Sequence, residues 1–158
     1  MKRFIAPAVF AIAALSLTFS WADEKAEKPK GDLGKLQGKW TTKMKGPDGQ
    51  EIPLLTIIEG KTASFKVTIP EGREIEFKGE ITIDEQSKPH KTIDWVKFTT
   101  ATGEAAPDNL GIYEIVDENT IKVCNGGHGN ERPSDFKESQ DGPPRLFTLK
   151  REVAPVKK

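Results

Sequence analysis

The chain has 158 residues, of which 24 are basic and 24 acidic, and it carries a single cysteine. A balanced charge argues against non-specific nucleic-acid binding, which needs a basic footprint. One cysteine permits no internal disulfide, so the fold has to stand on packing alone.

Met1 to Ala22 reads as a secretory signal peptide. Lys2 and Arg3 form its positive end, and Phe4 to Phe19 is apolar, interrupted by Pro7. Ser20-Trp21-Ala22 places small residues where a signal peptidase inspects the chain. Cleavage is predicted before Asp23, with export to the periplasm or beyond the cell. An uncleaved anchor is the weaker reading, because the apolar run is short for a full span and ends in that small-residue site. A lipid anchor would need a cysteine just after the cleavage site, and the only one is Cys124. Removing 22 of the 158 residues leaves 136, with 22 basic against 24 acidic side chains and a net charge of −2. That length suits one domain with a real core.

Residues 23–32 (DEKAEKPKGD) lack any large apolar side chain and read as a solvated linker. The domain proper is expected over residues 33–152, followed by a flexible tail at 153–158. A short helix near Gly31–Gln37, through Leu33 and Leu36, is the one helical stretch suggested after the leader.

From there the dominant period is two. Ala63, Phe65, Val67 and Ile69 alternate with polar residues, as do Ile75, Phe77, Gly79, Ile81 and Ile83. Such stretches are half-buried antiparallel strands. Weaker strands are predicted at Lys39–Lys45, Leu54–Ile58, Thr92–Thr100, Leu110–Val116, Thr120–Cys124 and Leu146–Glu152. Turn residues such as Gly46-Pro47-Asp48-Gly49 and Asp117-Glu118-Asn119 separate them. About eight short, mostly hairpin-linked strands predict an all-β antiparallel fold, a closed barrel or a sandwich, and closure would remove exposed edges. One strand breaks parity: Ile93 and Trp95 share one face, Val96 and Phe98 the other. Either a bulge re-aims it or both faces are covered.

Leu36-Gln37-Gly38-Lys39-Trp40 opens the first strand, and Gly38-x-Trp40 resembles the opening of lipocalin-like barrels, which implies an up-and-down barrel of about eight strands. The resemblance implies that Trp40 closes one end of the barrel while a basic residue of the last strand stacks over it, Arg151 first and Lys150 second. Further along come Leu110-Gly111-Ile112-Tyr113-Glu114-Ile115, Thr120-Ile121-Lys122-Val123-Cys124, Arg132-Pro133-Ser134-Asp135-Phe136 and Leu146-Phe147-Thr148-Leu149-Lys150-Arg151. In this order they resemble a family of small exported bacterial domains, mainly planctomycete and of uncharacterised function. That family's usual Arg-Pro-Thr-Glu-Phe is here Arg-Pro-Ser-Asp-Phe. The resemblance spans about Leu33 to Glu152 and implies a fold and a compartment, with no activity attached.

Chemistry is sought first in Val123–Phe136, which holds Cys124 and His128. A structural zinc site wants four ligands dominated by Cys and His. Here His90 is the only other imidazole, and Glu131 and Asp135 are the nearby carboxylates, so no metal or cofactor site is assigned. Cys124 or Ser134 with His128 and Asp135 could make a nucleophile, base and orienting group, but no nucleophile motif surrounds them and flanking glycines suggest a loose imidazole. The preferred reading is structural. Asn125 to Pro144 is a long loop whose only large apolar residue, Phe136, anchors it as a cap over one mouth of the barrel. Arg132 pairs with Asp135 across the turn set by Pro133, or bonds free carbonyls at the rim.

A barrel of this size holds packed side chains or one small ligand. Phe65, Phe77, Trp95, Phe98 and Tyr113 are the residues expected to line a site for a small apolar ligand. The competing expectation is a filled core and a structural or protein-interaction role in the cell envelope. No catalytic role is assigned.

Overall fold

The computed structural model describes residues 29–46, 48–69, 72–139 and 142–152. The leader, most of the linker and the tail named above lie outside them. One short helix, α1 (Gly31–Leu36), precedes eight strands: β1 (Gly38–Lys45), β2 (Glu51–Glu59), β3 (Thr62–Thr68), β4 (Glu74–Asp84), β5 (Lys91–Thr100), β6 (Asn109–Asp117), β7 (Thr120–His128) and β8 (Arg145–Arg151). They follow one another around a closed barrel. Every neighbouring pair is antiparallel, and β8 returns to β1 through Trp40 opposite Arg151 and Thr41 opposite Lys150. The antiparallel strands are those the period-two patterning predicts, and their closure is the up-and-down barrel, not the sandwich.

The register puts the alternating apolar residues on the inner face. Trp40, Thr56, Phe65 and Phe77 are successive cross-strand partners over β1 to β4, and Tyr113, Val123 and Phe147 over β6 to β8. Ile58, Ile81, Ile93, Trp95, Ile121 and Leu149 complete the buried interior. The parity break in β5 is a bulge. Register shifts between Lys78 and Glu80, so that Lys97 and Phe98 share the space opposite Gly79. Lys97 takes a left-handed φ of 55°, which turns Phe98 back inward beside Trp95. Gly79 makes this fit, since a Cβ there would overlap the Phe98 ring.

α1 closes one end. Trp40 is 1% exposed, and its indole N–H donates to Leu36 O at 2.8 Å. The Arg151 guanidinium carbon sits 4.1 Å from the centre of the Trp40 ring. The same guanidinium donates to Gln37 O, Lys35 O and Glu118 O at 2.7, 2.8 and 3.0 Å. One cation thus covers the plug, satisfies carbonyls at the helix C-terminus and ties in the β6–β7 turn. The second basic residue, Lys150, points elsewhere and donates to Thr120 Oγ1. At Gly38, φ is 112° and an added Cβ would lie 2.9 Å from Arg151 Nη1, so glycine lets the chain turn from helix to strand under the guanidinium.

Asp32 corrects the charge-run reading. Gly31 and Asp32 fall within the expected linker, yet both belong to α1, and Asp32 is 2% exposed. Its carboxylate accepts from Lys35 at 2.9 Å, Lys91 at 2.5 Å and the Tyr113 hydroxyl at 3.0 Å. Burial pushes the carboxyl upward, but the bonds from Lys91, Lys35 and Tyr113 together hold it below the ordinary aspartate value. The plug is thereby pinned to β5 and β6.

Candidate functional site

Above the plug the barrel is hollow. A cavity of about 440 Å³ runs from Thr56 and Leu149 to a mouth formed by Met44, Pro107, His128, Pro143 and Arg145. Four of the five predicted lining residues meet there: Phe65, Phe77, Trp95 and Phe98. Phe65 stacks on Phe98 with centroids 4.9 Å apart and an interplanar angle of 22°, and meets Trp95 at 4.9 Å and 56°. These offset and tilted geometries are the ones that ring quadrupoles favour.

The fifth, Tyr113, is a correction. It faces inward but sits at the plugged end, outside the cavity lining, where its hydroxyl donates to Asp32. Burial first, then the Asp32 carboxylate, pushes its phenol well above the ordinary range. It is a buttress of the plug and not a wall of the cavity.

Thr56, Phe147 and Leu149 also line the wall. Phe147 and Leu149 lie two apart on β8, so their shared parity was a usable signal. Thr56 gave none, because a threonine in a strand suits either face. The polar groups of the wall are mostly committed. Asn125 Oδ1 accepts from Trp95 Nε1 at 3.0 Å, Asn109 Oδ1 accepts from Gly127 N at 3.0 Å, and His128 Nδ1 lies 2.9 Å from Pro107 O. His128 is therefore fixed by a bond across the mouth rather than left loose by its glycines.

The long loop also differs from expectation. β7 runs through to His128 and β8 starts at Arg145, so the connection is shorter than Asn125 to Pro144. Its end at Pro143 borders the mouth, but Arg132, Asp135 and Phe136 do not cap it. Arg132 forms a two-pronged pair with Asp94, Nη1 to Oδ1 at 2.5 Å and Nη2 to Oδ2 at 3.0 Å, and also donates to Gly111 O at 2.6 Å. Asp94 lies between the inward Ile93 and Trp95 and so faces outward. Phe136 meets His90 edge to face, centroids 5.1 Å apart, beside the connection from β4 to β5. Asp135 bonds Lys137, not Arg132. Pro133, between these contacts, belongs to a strap laid down the outer wall over β5, β6 and β7.

The strap explains why Ile112 and Cys124, outward partners of each other, are 2% and 0% exposed. At Gly126 a Cβ would run into Glu131 O, so glycine lets strap backbone lie directly on the strand. Cys124 Sγ is 3.8 Å from Lys137 O. Burial, then Asp135 and Glu138, raises the thiol above its usual value. Cys124 thus faces the strap while His128 bonds across the mouth. Among the described residues no group of three His, Cys, Asp or Glu side chains could hold a metal ion.

No protein-family model matches the chain, and no curated protein matches it. Among solved structures it is similar to one described as a redesigned beta barrel, at 23% sequence identity and a TM-score of 0.47, over 77% of this chain and 95% of that one.

Proposed function

We propose that this protein is an exported barrel that binds one small apolar molecule in its interior. The observation that carries the reading is the aromatic-walled cavity of about 440 Å³, open at one end and plugged at the other. Its volume falls in the range of about 300–1,000 Å³ typical of small-molecule pockets. Phe65, Phe77, Trp95 and Phe98 give it an apolar surface on which a ligand sheds water. The outer wall supports a partner less well, since among the described residues Val116 is the one large apolar side chain that stands exposed. Binding is preferred to catalysis because the one thiol and the mouth imidazole have separate neighbours. Export rests on Met1 to Ala22, and membership of the planctomycete-type family rests on the motif order; both are parts of the same proposal.

The test is retention. The full chain is incubated with a mixed pool of apolar compounds, desalted and examined by native mass spectrometry, beside a Val67→Trp variant that fills the upper cavity. The reading expects a bound species in the wild type that the variant loses. A wild type that retains nothing returns the barrel to a filled-core role in the cell envelope. Retention equal in both proteins places binding outside the cavity.

A further inference from the structure

Thr56 lies midway along β2, facing inward, and is 1% exposed. Its side chain lines the cavity. Among the described residues, its hydroxyl is the one buried side-chain polar atom with no hydrogen-bond partner. Its cross-strand neighbours are Trp40 and Phe65. The indole N–H groups that could serve it are taken, Trp40 Nε1 by Leu36 O and Trp95 Nε1 by Asn125 Oδ1. A buried hydroxyl left unmade is costly, and native proteins keep few of them.

We infer that the occupant of the cavity carries one neutral polar group, a hydroxyl or a carbonyl, at its buried end, and that Thr56 Oγ1 bonds it. This rests on the cavity being a binding site and names the chemistry of what it takes. The group is neutral because neither Trp40 nor Phe65 offers an opposite charge, and an unpaired charge does not leave water for such a floor. The remainder is apolar, to match the rings above. At about 30 Å³ for each water-sized group, about 440 Å³ accommodates on the order of fifteen non-hydrogen atoms. A medium-chain alcohol or a ketone of similar bulk has that chemistry, held polar end first with its tail towards Met44 and Arg145.

The experiment titrates the full chain with 1-decanol, n-decane and decanoate, followed by tryptophan emission because Trp95 lines the cavity, in wild type, Thr56→Val and Thr56→Ser. In Thr56→Val the affinity for decanol relative to decane is expected to fall about tenfold, the equivalent of roughly 1.4 kcal/mol, and Thr56→Ser is expected to restore it. The apo Thr56→Val protein is expected to melt a few degrees higher, since a buried unbonded hydroxyl becomes a methyl. A decanol-to-decane ratio unmoved by Thr56→Val overturns the inference and leaves the cavity as a binding site. Decanoate binding as tightly as decanol, insensitive to Thr56, overturns it too, because the polar end would then face the mouth. An apo melting point unchanged or lowered in Thr56→Val shows that the hydroxyl is already satisfied within the wall and also overturns it. Failure of both decanol and decane to bind overturns this inference and the proposed function together.

Discussion

Asp32→Ala tests whether the plug is held by one carboxylate. The Tyr113 hydroxyl is buried and donates to Asp32, so truncation leaves it without an acceptor, a loss of about 1–3 kcal/mol. Lys35 and Lys91 contribute less. Their side chains are 65% and 43% exposed and they rehydrate when the carboxylate is removed, so the less exposed Lys91 pair adds about 0–1 kcal/mol. The total is about 1–4 kcal/mol, a fall in Tm of roughly 4–15 °C for a domain of this size. Asp32→Asn keeps an acceptor for Tyr113 and should cost about 1 kcal/mol at neutral pH. The pH dependence separates charge from shape. Asp32 binds a proton less readily folded than unfolded, so its contribution is complete above about pH 4, the unfolded aspartate value. It is lost as pH falls through the lower folded value. Thermal melts from pH 7 down to pH 2.5 should therefore show the gap between wild type and Asp32→Asn closing on the acid side. Asp32→Ala melting within 1–2 °C of wild type, or a gap to Asp32→Asn that stays constant with pH, would refute the reasoning.

The strap and the plug give two further expectations. Arg132→Ala removes the two-pronged partner of Asp94 and a donor to Gly111 O. It should cost about 2–3 kcal/mol by chemical denaturation and should speed reaction of Cys124 with a thiol reagent at neutral pH; an unchanged rate would mean that the strap is held elsewhere. Arg151→Met keeps the apolar stem over Trp40 but loses the cation and three carbonyl contacts. A loss of about 1–3 kcal/mol is expected, with tryptophan emission shifting as the indole is uncovered, and an unshifted spectrum would count against the stacked cation.

What the sequence revealed follows from which forces act locally. Period-two alternation in Ala63–Ile69 and Ile75–Ile83 is set by one dry and one wet face, so the strands were legible, while the choice of barrel over sandwich came with the resemblance carried by Gly38 and Trp40. The parity slip at Val96 and Phe98 fitted either a bulge or two covered faces; the register shift opposite Gly79 decides for the bulge, which brings Trp95 and Phe98 to one face. The Trp40–Arg151 pair was legible only by resemblance, since a Gly-x-Trp has no period. The strap was misplaced because Phe136 announces an anchor without saying which surface it anchors to. The missing clue was Ile112 and Cys124, apolar residues at outward positions of β6 and β7 that need a cover. Asp32 was hidden by its neighbours: in a run of charges nothing distinguishes the one whose partners, Lys91 and Tyr113, arrive from 59 and 81 residues away. Tyr113 was grouped with the ring residues by its apolar body, when its hydroxyl decides where it sits.

The join between β1 and β8 consists of two residue pairs, at Trp40 and Thr41, whereas each other join has at least five. The cylinder therefore has a zip with very few teeth. Along that line the fewest ladder pairs resist parting of the wall, and Met44 and Phe147, one from each of the two strands, border the hollow on either side of it. If the hollow takes a guest as proposed, the seam is the side entrance with the fewest ladder pairs to part.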